Sequence, residues 1–161
     1  MTREEFILQV ESTQKALRRF LVALCCGDSS LADDIAQDAF IKAYLSCESF
    51  RNAEKFNAWI YKIAYNTFLN HYRSRRTFVT VEEAGRVVSN DNADKKFDYE
   101  RLYFALESIP EKERMSVLLF YMEGKPVKEI AEICGVSQEA VRQQLTRGRR
   151  HLKEILETAN L

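Results

Sequence analysis

Between Pro126 and Lys153 two amphipathic stretches are separated by only Gly135-Val136-Ser137, and few chain paths accommodate that. The first stretch opens on Pro126, which suits the start of a helix because its missing N–H would find no partner there. Gly135 can take the left-handed conformation that ends a helix and turns the chain sharply. Ser137 is a good N-cap for the second stretch, and Glu139 falls in its electropositive first turn. Ala140 stands where a full capping box carries Glu or Gln, so the start signal is incomplete. Residues 126–134 and 137–158 therefore read as two helices across a tight turn, a helix-turn-helix.

The faces of the second helix suggest its use. Val141, Leu145, Gly148, Leu152 and Ile155/Leu156 recur at helical spacing as one apolar stripe. Glu139, Gln143, Thr146, Arg147 and Arg150 occupy the opposite face, with Arg142, Arg149 and Lys153 on its flank. Arg and Gln are the side chains that read guanine and adenine edges, and the second helix of such a motif presents them to the major groove. A charge run is usually only a solvated face. The five bases against one acid between Gln138 and Lys153, with the glycine turn beside them, favour DNA contact.

A formal net charge of zero seems to oppose a nucleic-acid partner, but the charge is segregated. Residues 41–80 carry seven bases and two acids, and residues 137–161 five bases and three acids. Residues 1–40 carry seven acids and four bases. Two basic blocks separated by acidic ones suggest two DNA-facing surfaces and at least one acidic surface for something else. No apolar run approaches a membrane span and no signal peptide opens the chain, so neither membrane insertion nor export is expected. Cys25, Cys26, Cys47 and Cys134 lack metal-ligand spacing and read as small buried hydrophobes in a reducing compartment, the cytoplasm.

Periodicity predicts an all-α chain in two small pieces. Helices are expected at roughly 3–25, 29–47 and 54–75, then 98–107, 110–122, 126–134 and 137–158. Residues 77–97 lose the period and contain Ser-Asn-Asp-Asn, a turn signal, so they read as a partly flexible linker. Brief pairing or docking of Val79, Val81, Val87 and Val88 is left open. The expected division is 1–76, a linker over 77–97, and 98–161.

In the helix from Ser29, Ile35, Ala36, Ala39, Phe40 and Ala43 form a stripe for burial, opposite Asp33, Asp34, Gln37 and Asp38. At about 100° per residue Ile41 falls among the polar residues. An exposed isoleucine rimmed by Asp34, Gln37 and Asp38 suits a protein contact as well as a solvated face. A metal site on Asp34 and Asp38 lacks the converging oxygen ligands that a hard cation needs. No metal or cofactor is expected.

The helix from Phe56 carries two apolar stripes. Phe56, Trp59, Ile60 and Ile63 read as core. Tyr61, Tyr65, Phe68 and Tyr72 either stack on unpaired bases or are buried in a bundle, with burial the simpler reading. Lys62, Asn66, Asn70 and Arg73 form a polar surface beyond them, and Lys62, Arg73, Arg75 and Arg76 suit phosphate contact.

Taken together, these residues resemble the group IV, or extracytoplasmic-function, sigma factors of bacterial RNA polymerase. Ala32 to Phe40 resembles the family's region 2.2. Phe50-Arg51, Phe56 to Asn66 and His71-Tyr72-Arg73 are similar to regions 2.3–2.4. Ile109 to Arg114, Glu123-Gly124 and the helix-turn-helix are similar to region 4. The resemblance implies two helical domains, a first that binds the polymerase β′ subunit through Asp34, Gln37, Asp38 and Ile41 and opens the −10 element. It implies −10 contacts from Arg51, Asn52, Lys55, Lys62, Asn66, Arg73 and Arg76, with the loop Arg51 to Lys55 as a pocket for a flipped base. It implies −35 contacts from Arg142, Gln143, Thr146, Arg147 and Arg150, a linker in place of region 3, and partners comprising the β′ and β subunits, promoter DNA and an anti-sigma factor. Gln144, where relatives often carry Arg, and Gly148, where they often carry Ala, depart from the pattern. Gly costs about 1 kcal/mol of helix propensity against Ala, so a bend at Gly148 is expected.

Two other classes compete. A free-standing dimeric helix-turn-helix regulator would use the second helix alone, leaving the acidic and aromatic helices without a task. A purely protein-binding adaptor would leave the basic helix merely solvated. His71 and His151 have no nucleophile to serve, so an enzyme is not expected.

Overall fold

The computed structural model describes residues 1–78 and 93–158, with side chains over 1–74 and 99–158. These residues form seven α-helices and two single 3-10 turns. The helices are α1 (Arg3–Leu24), α2 (Ser29–Ser46), α3 (Phe56–Phe78), α4 (Ala93–Glu107), α5 (Glu111–Tyr121), α6 (Val127–Cys134) and α7 (Gln138–Thr158). The 3-10 turns, Cys47–Ser49 and Ala53–Lys55, carry the chain from α2 to α3.

Local chemistry explains the helix starts. At α1 the Glu5 N–H donates to Thr2 Oγ1 at 3.1 Å and the Thr2 N–H to Glu5 Oε2 at 2.9 Å, a complete capping box. At α2 the Asp28 carboxylate accepts from the Leu31 N–H at 3.0 Å. The helix-turn-helix behaves as its sequence dictates. Gly135 is left-handed at φ 68° and ψ 35°, and Ser137 Oγ accepts from the Ala140 N–H at 3.1 Å. Pro126 caps α6 from just outside the first turn.

The expected linker is shorter at both edges. Thr77 and Phe78 continue α3, and α4 begins at Ala93 rather than near 98. Ala93, Lys95 and Lys96 are good helix formers and Asp94 suits a first turn, so loss of apolar period is no stop signal there. Val79, Val81, Val87 and Val88 lie outside the described residues.

In the first half α2 is sandwiched between α1 and α3, and its buried face is small: Ala32, Ala36, Ala39 and Ala43 with Ile35. Alanines there let larger neighbours close in, including Leu17, Phe20 and Leu21 of α1 and Phe56, Ile60 and Phe68 of α3. In the second half α5 is enclosed from Glu113 to Leu119, and α7 lies across it through Val141, Leu145 and Gly148. A Cβ on Gly148 would stand 2.8 Å from Val117 Cγ2. Close helix approach therefore accounts for glycine at this position, and α7 runs on past it as one helix to Thr158.

The halves pack together. α3 runs beside α6 and α1 beside α5. The Arg114 guanidinium is 2% exposed and donates to the carbonyls of Leu106 (2.8 Å), Glu107 (3.5 Å) and Ile109 (3.4 Å), which close the α4–α5 turn. Its fourth bond, 3.0 Å to the Leu24 carbonyl, reaches into the first half. The rigid fork of arginine suits several acceptors at once, which a lysine point charge does not. Beside it, Gly27 takes φ 90°, and a Cβ there would stand 2.8 Å from the Tyr103 ring of α4.

Candidate nucleic-acid interface

α7 presents its basic face without obstruction. Arg142, Gln143, Thr146, Arg147 and Arg150 are all exposed, while Val141, Leu145 and Gly148 anchor the other side. Thr146 donates its hydroxyl proton to the Arg142 carbonyl at 2.9 Å, which leaves its lone pairs to face outward as acceptors. The flank is more constrained: Arg149 Nη1 donates to the Tyr121 hydroxyl at 3.0 Å. Gln144 is half-buried and accepts from Ser116 Oγ at 2.6 Å. That departure from the family pattern therefore serves the α5–α7 packing.

On α3 the polar residues also share a face: Lys62, Asn66, Asn70 and Arg73 are exposed along one side. Arg51, Asn52 and Lys55 are exposed in the stretch leading into α3. Arg75 and Arg76 lie on α3, but their side chains fall outside those described. The two apolar stripes are rearranged. Phe56 and Ile60 are buried as expected, but Trp59 and Ile63 are only half-buried; Ala64 and Thr67 complete the inner face instead. The Trp59 ring stacks on Phe50 at 4.3 Å and 10°, beside the Arg51 to Lys55 stretch. Its helical angle, between Ile63 and Asn66, already signals that boundary position.

The second stripe is buried except at Tyr72, which is half-buried, and the other half of the chain helps to cover it. Tyr61 is 1% exposed, Tyr65 6% and Phe68 0%. Lys125, just ahead of α6, places its ammonium 5.4 Å from the Tyr61 ring and hydrogen-bonds Asn57 at the start of α3. Burial, then the Glu123 charge, pushes the Tyr61 pKa up. Burial likewise raises the Tyr65 pKa to about 12, with the Cys134 thiol of α6 adding to the effect.

The acidic face of α2 is exposed at Asp33, Asp34 and Gln37, and Ile41 is 53% exposed among them. Asp38 is more engaged, 3.2 Å from His71 Nε2 of α3 and 3.4 Å from Lys42 Nζ. The His71 hydrogen bond lowers its pKa; burial opposes that, and the Lys42 charge adds a further lowering. Asp33 pairs with Arg18 of α1 at 3.4 Å. Tyr44 and Leu45 extend the exposed apolar surface one turn beyond Ile41, and their i+3 and i+4 spacing would have revealed it.

Among the described residues no group of three His, Cys, Asp or Glu converges as a metal site, and no helix is long and apolar enough to cross a membrane. His151 pairs with Glu113 of α5 at 2.6 Å, so both histidines tie neighbouring helices together.

Comparison with known proteins decides the family. The Sigma-70 region 2 model matches residues 9–78 and the Sigma-70 region 4 model residues 99–152. RNA polymerase sigma factor SigZ of Bacillus subtilis is 30% identical over 135 residues, covering 81% of this chain and 76% of that protein. The chain belongs to the extracytoplasmic-function sigma-factor family. SigW of Bacillus subtilis, an ECF sigma factor, is 31% identical over 146 residues, covering 81% of this chain and 78% of its own. Among solved structures, the sigma factor RpoE in its complex with the anti-sigma factor NepR from Bartonella quintana shares the fold at a TM-score of 0.80. It is 24% identical, with 96% of this chain and 98% of that one covered. CnrH, in complex with the cytosolic domain of CnrY, gives a TM-score of 0.73 at 22% identity, with 95% and 88% covered. As a family member the chain is an alternative sigma factor directing transcription initiation, and the free-standing regulator is not favoured.

Proposed function

We propose that this sigma factor divides its work among three surfaces, and that the open basic face of α7 carries the reading. Arg142, Gln143, Thr146, Arg147 and Arg150 stand on a helix whose opposite side is fixed in the core, so they meet a −35 major groove without rearrangement. Lys62, Asn66 and Arg73, with Arg76 further along α3, track the −10 backbone, while Arg51, Asn52 and Lys55 border the site of an extruded base. Asp34, Gln37, Asp38 and Ile41 contact the β′ subunit of core polymerase, with Asp38 held in place by His71. The second half contacts the β subunit.

Catalysis belongs to the polymerase, and this chain contributes base and backbone contacts only. It acts in the cytoplasm, where polymerase and chromosome meet. Of the two structural neighbours that support the fold, the sigma factor RpoE is bound to the anti-sigma factor NepR and CnrH to the cytosolic domain of CnrY, which supports an anti-sigma partner here. Run-off transcription with core polymerase on a library of promoter fragments tests the reading. Initiation at defined sites only when the chain is added is the expected result. A discrete footprint by the chain alone, without initiation, would overturn it.

A further inference from the structure

A base edge in the major groove is read by hydrogen-bond polarity, and the reading face of α7 offers mostly one polarity. Arg142, Arg147 and Arg150 carry donors only, so they match the acceptor atoms of guanine or thymine, or a phosphate. Gln143 carries both a donor and an acceptor. A threonine hydroxyl ordinarily acts either way, and so by itself selects no base. Thr146 differs because its one proton is already placed.

Thr146 Oγ1 lies 2.9 Å from the Arg142 carbonyl oxygen. A carbonyl only accepts, so the hydroxyl donates to it, and what Thr146 has left to offer is its lone pairs. Thr13 makes the same bond to the carbonyl four residues back at 2.8 Å, and Thr67 and Thr158 make it at 2.7 Å. It is therefore the pose that a helical threonine takes in this protein, set before any DNA arrives. Thr146 is exposed, one turn from Arg142 and Gln143 on one side and from Arg150 on the other. Turning its hydroxyl outward as a donor would break the bond to the Arg142 carbonyl, which cancels most of the benefit of a new bond to a base.

We propose that Thr146 is a fixed acceptor which selects, at one position of the −35 element, a base with an exocyclic amino group on the strand it faces. Adenine N6 and cytosine N4 donate in the major groove, whereas guanine O6 and thymine O4 would set oxygen against oxygen. The inference rests on the −35 reading of α7 given above and adds the polarity of one contact to it.

Run-off transcription by the holoenzyme, with all four bases placed in turn at each −35 position of a responsive promoter, measures the preference. One position is expected to favour adenine and cytosine over guanine and thymine by about three- to tenfold, the effect of a single hydrogen bond. Thr146→Val keeps the shape of the side chain and removes the acceptor. It is expected to flatten the preference at that position and leave the other positions as they are. Thr146→Ser keeps a hydroxyl able to bond back to Arg142, and is expected to retain the preference. Glu139, the other side chain on this face that only accepts, is separated by Glu139→Gln, which is expected to leave that position unchanged. A wild type with no such position, a preference that survives Thr146→Val, or one that follows Glu139→Gln instead overturns the proposal. In each of those cases the −35 reading stands, provided that other base changes in the element still lower initiation. If no base change there alters initiation, the −35 reading falls and this inference with it.

Discussion

α3 and α7 are both long helices with a basic face, yet they stand in opposite conditions. α7 buries one stripe and leaves its whole Arg and Gln face in water. α3 is buried on two sides, against α1 and α2 and again under α6, with a narrow polar strip left over. The difference fits what each is proposed to read. A duplex offers its base edges in the groove, so polar side chains on a rigid helix suffice. An unpaired base offers a flat apolar face and calls for rings, and exposed rings in a free chain invite burial.

The comparison can be broken most forcefully at Arg114. Arg114→Met takes the guanidinium donor from three buried carbonyls and a part-buried one and is expected to cost about 3–5 kcal/mol, read by urea unfolding. Arg114→Lys should recover little of it, since a lysine cannot reproduce the fork. A near-neutral Arg114→Met would mean the second half frames α6 by other means.

Arg147→Ala sharpens the α7 side. Affinity for a −35 duplex in fluorescence anisotropy should fall by about 1–3 kcal/mol, with specificity relaxed at one base position. Uniform weakening across all sequences would instead make Arg147 a phosphate contact. Gly148→Ala sets a propensity gain of about 1 kcal/mol against crowding of Val117, and about 1 kcal/mol net destabilisation is expected in a melting experiment. A rise in Tm would show that α5 and α7 have room to separate.

On α3, Lys62→Ala should weaken promoter binding evenly and reduce the salt slope of holoenzyme binding by about one. An unchanged slope would remove Lys62 from the backbone track. The smallest effect belongs to Asp38, which ties α2 to α3. Its folded pKa lies below the ordinary 3.8, so its contribution is present above that value and lost as pH falls through the lower folded one. Below pH 5 the wild type should therefore lose slightly more stability than Asp38→Asn. The difference should stay under about 1 kcal/mol, because Asp38 and its partners are each about a third exposed or more.

Where local chemistry decides, the sequence is a good guide. Gly135 and Ser137 announce the turn, the period of Val141 and Leu145 announces which side of α7 is buried, and helical projection sets Ile41 in the open, where it lies. The linker edges differ from expectation because Ala93 to Phe97 lack apolar period yet still favour helix. Residue type alone puts Trp59 in the core, although its angle sets it at the margin. The covering of Tyr61 and Tyr65 by the other half is out of reach of the sequence. It depends on Lys125 finding Asn57, far apart in the chain, and nothing local encodes such a meeting. The roles of individual DNA- and polymerase-facing residues rest on exposure, chemistry and family membership together.

Arg114 also bears on how such a chain can drift over generations. Three of its bonds hold its own half together, and the fourth ends on a backbone carbonyl. A substitution that deletes the arginine is lost with the fold it dismantles, while any residue at position 24 still offers a carbonyl. The bridge between the halves is therefore inherited as a by-product of keeping the second half folded. Variation can strengthen or weaken the union at Lys125, Asn57 and Tyr103, but it has no simple route to erasing the bridge at Leu24.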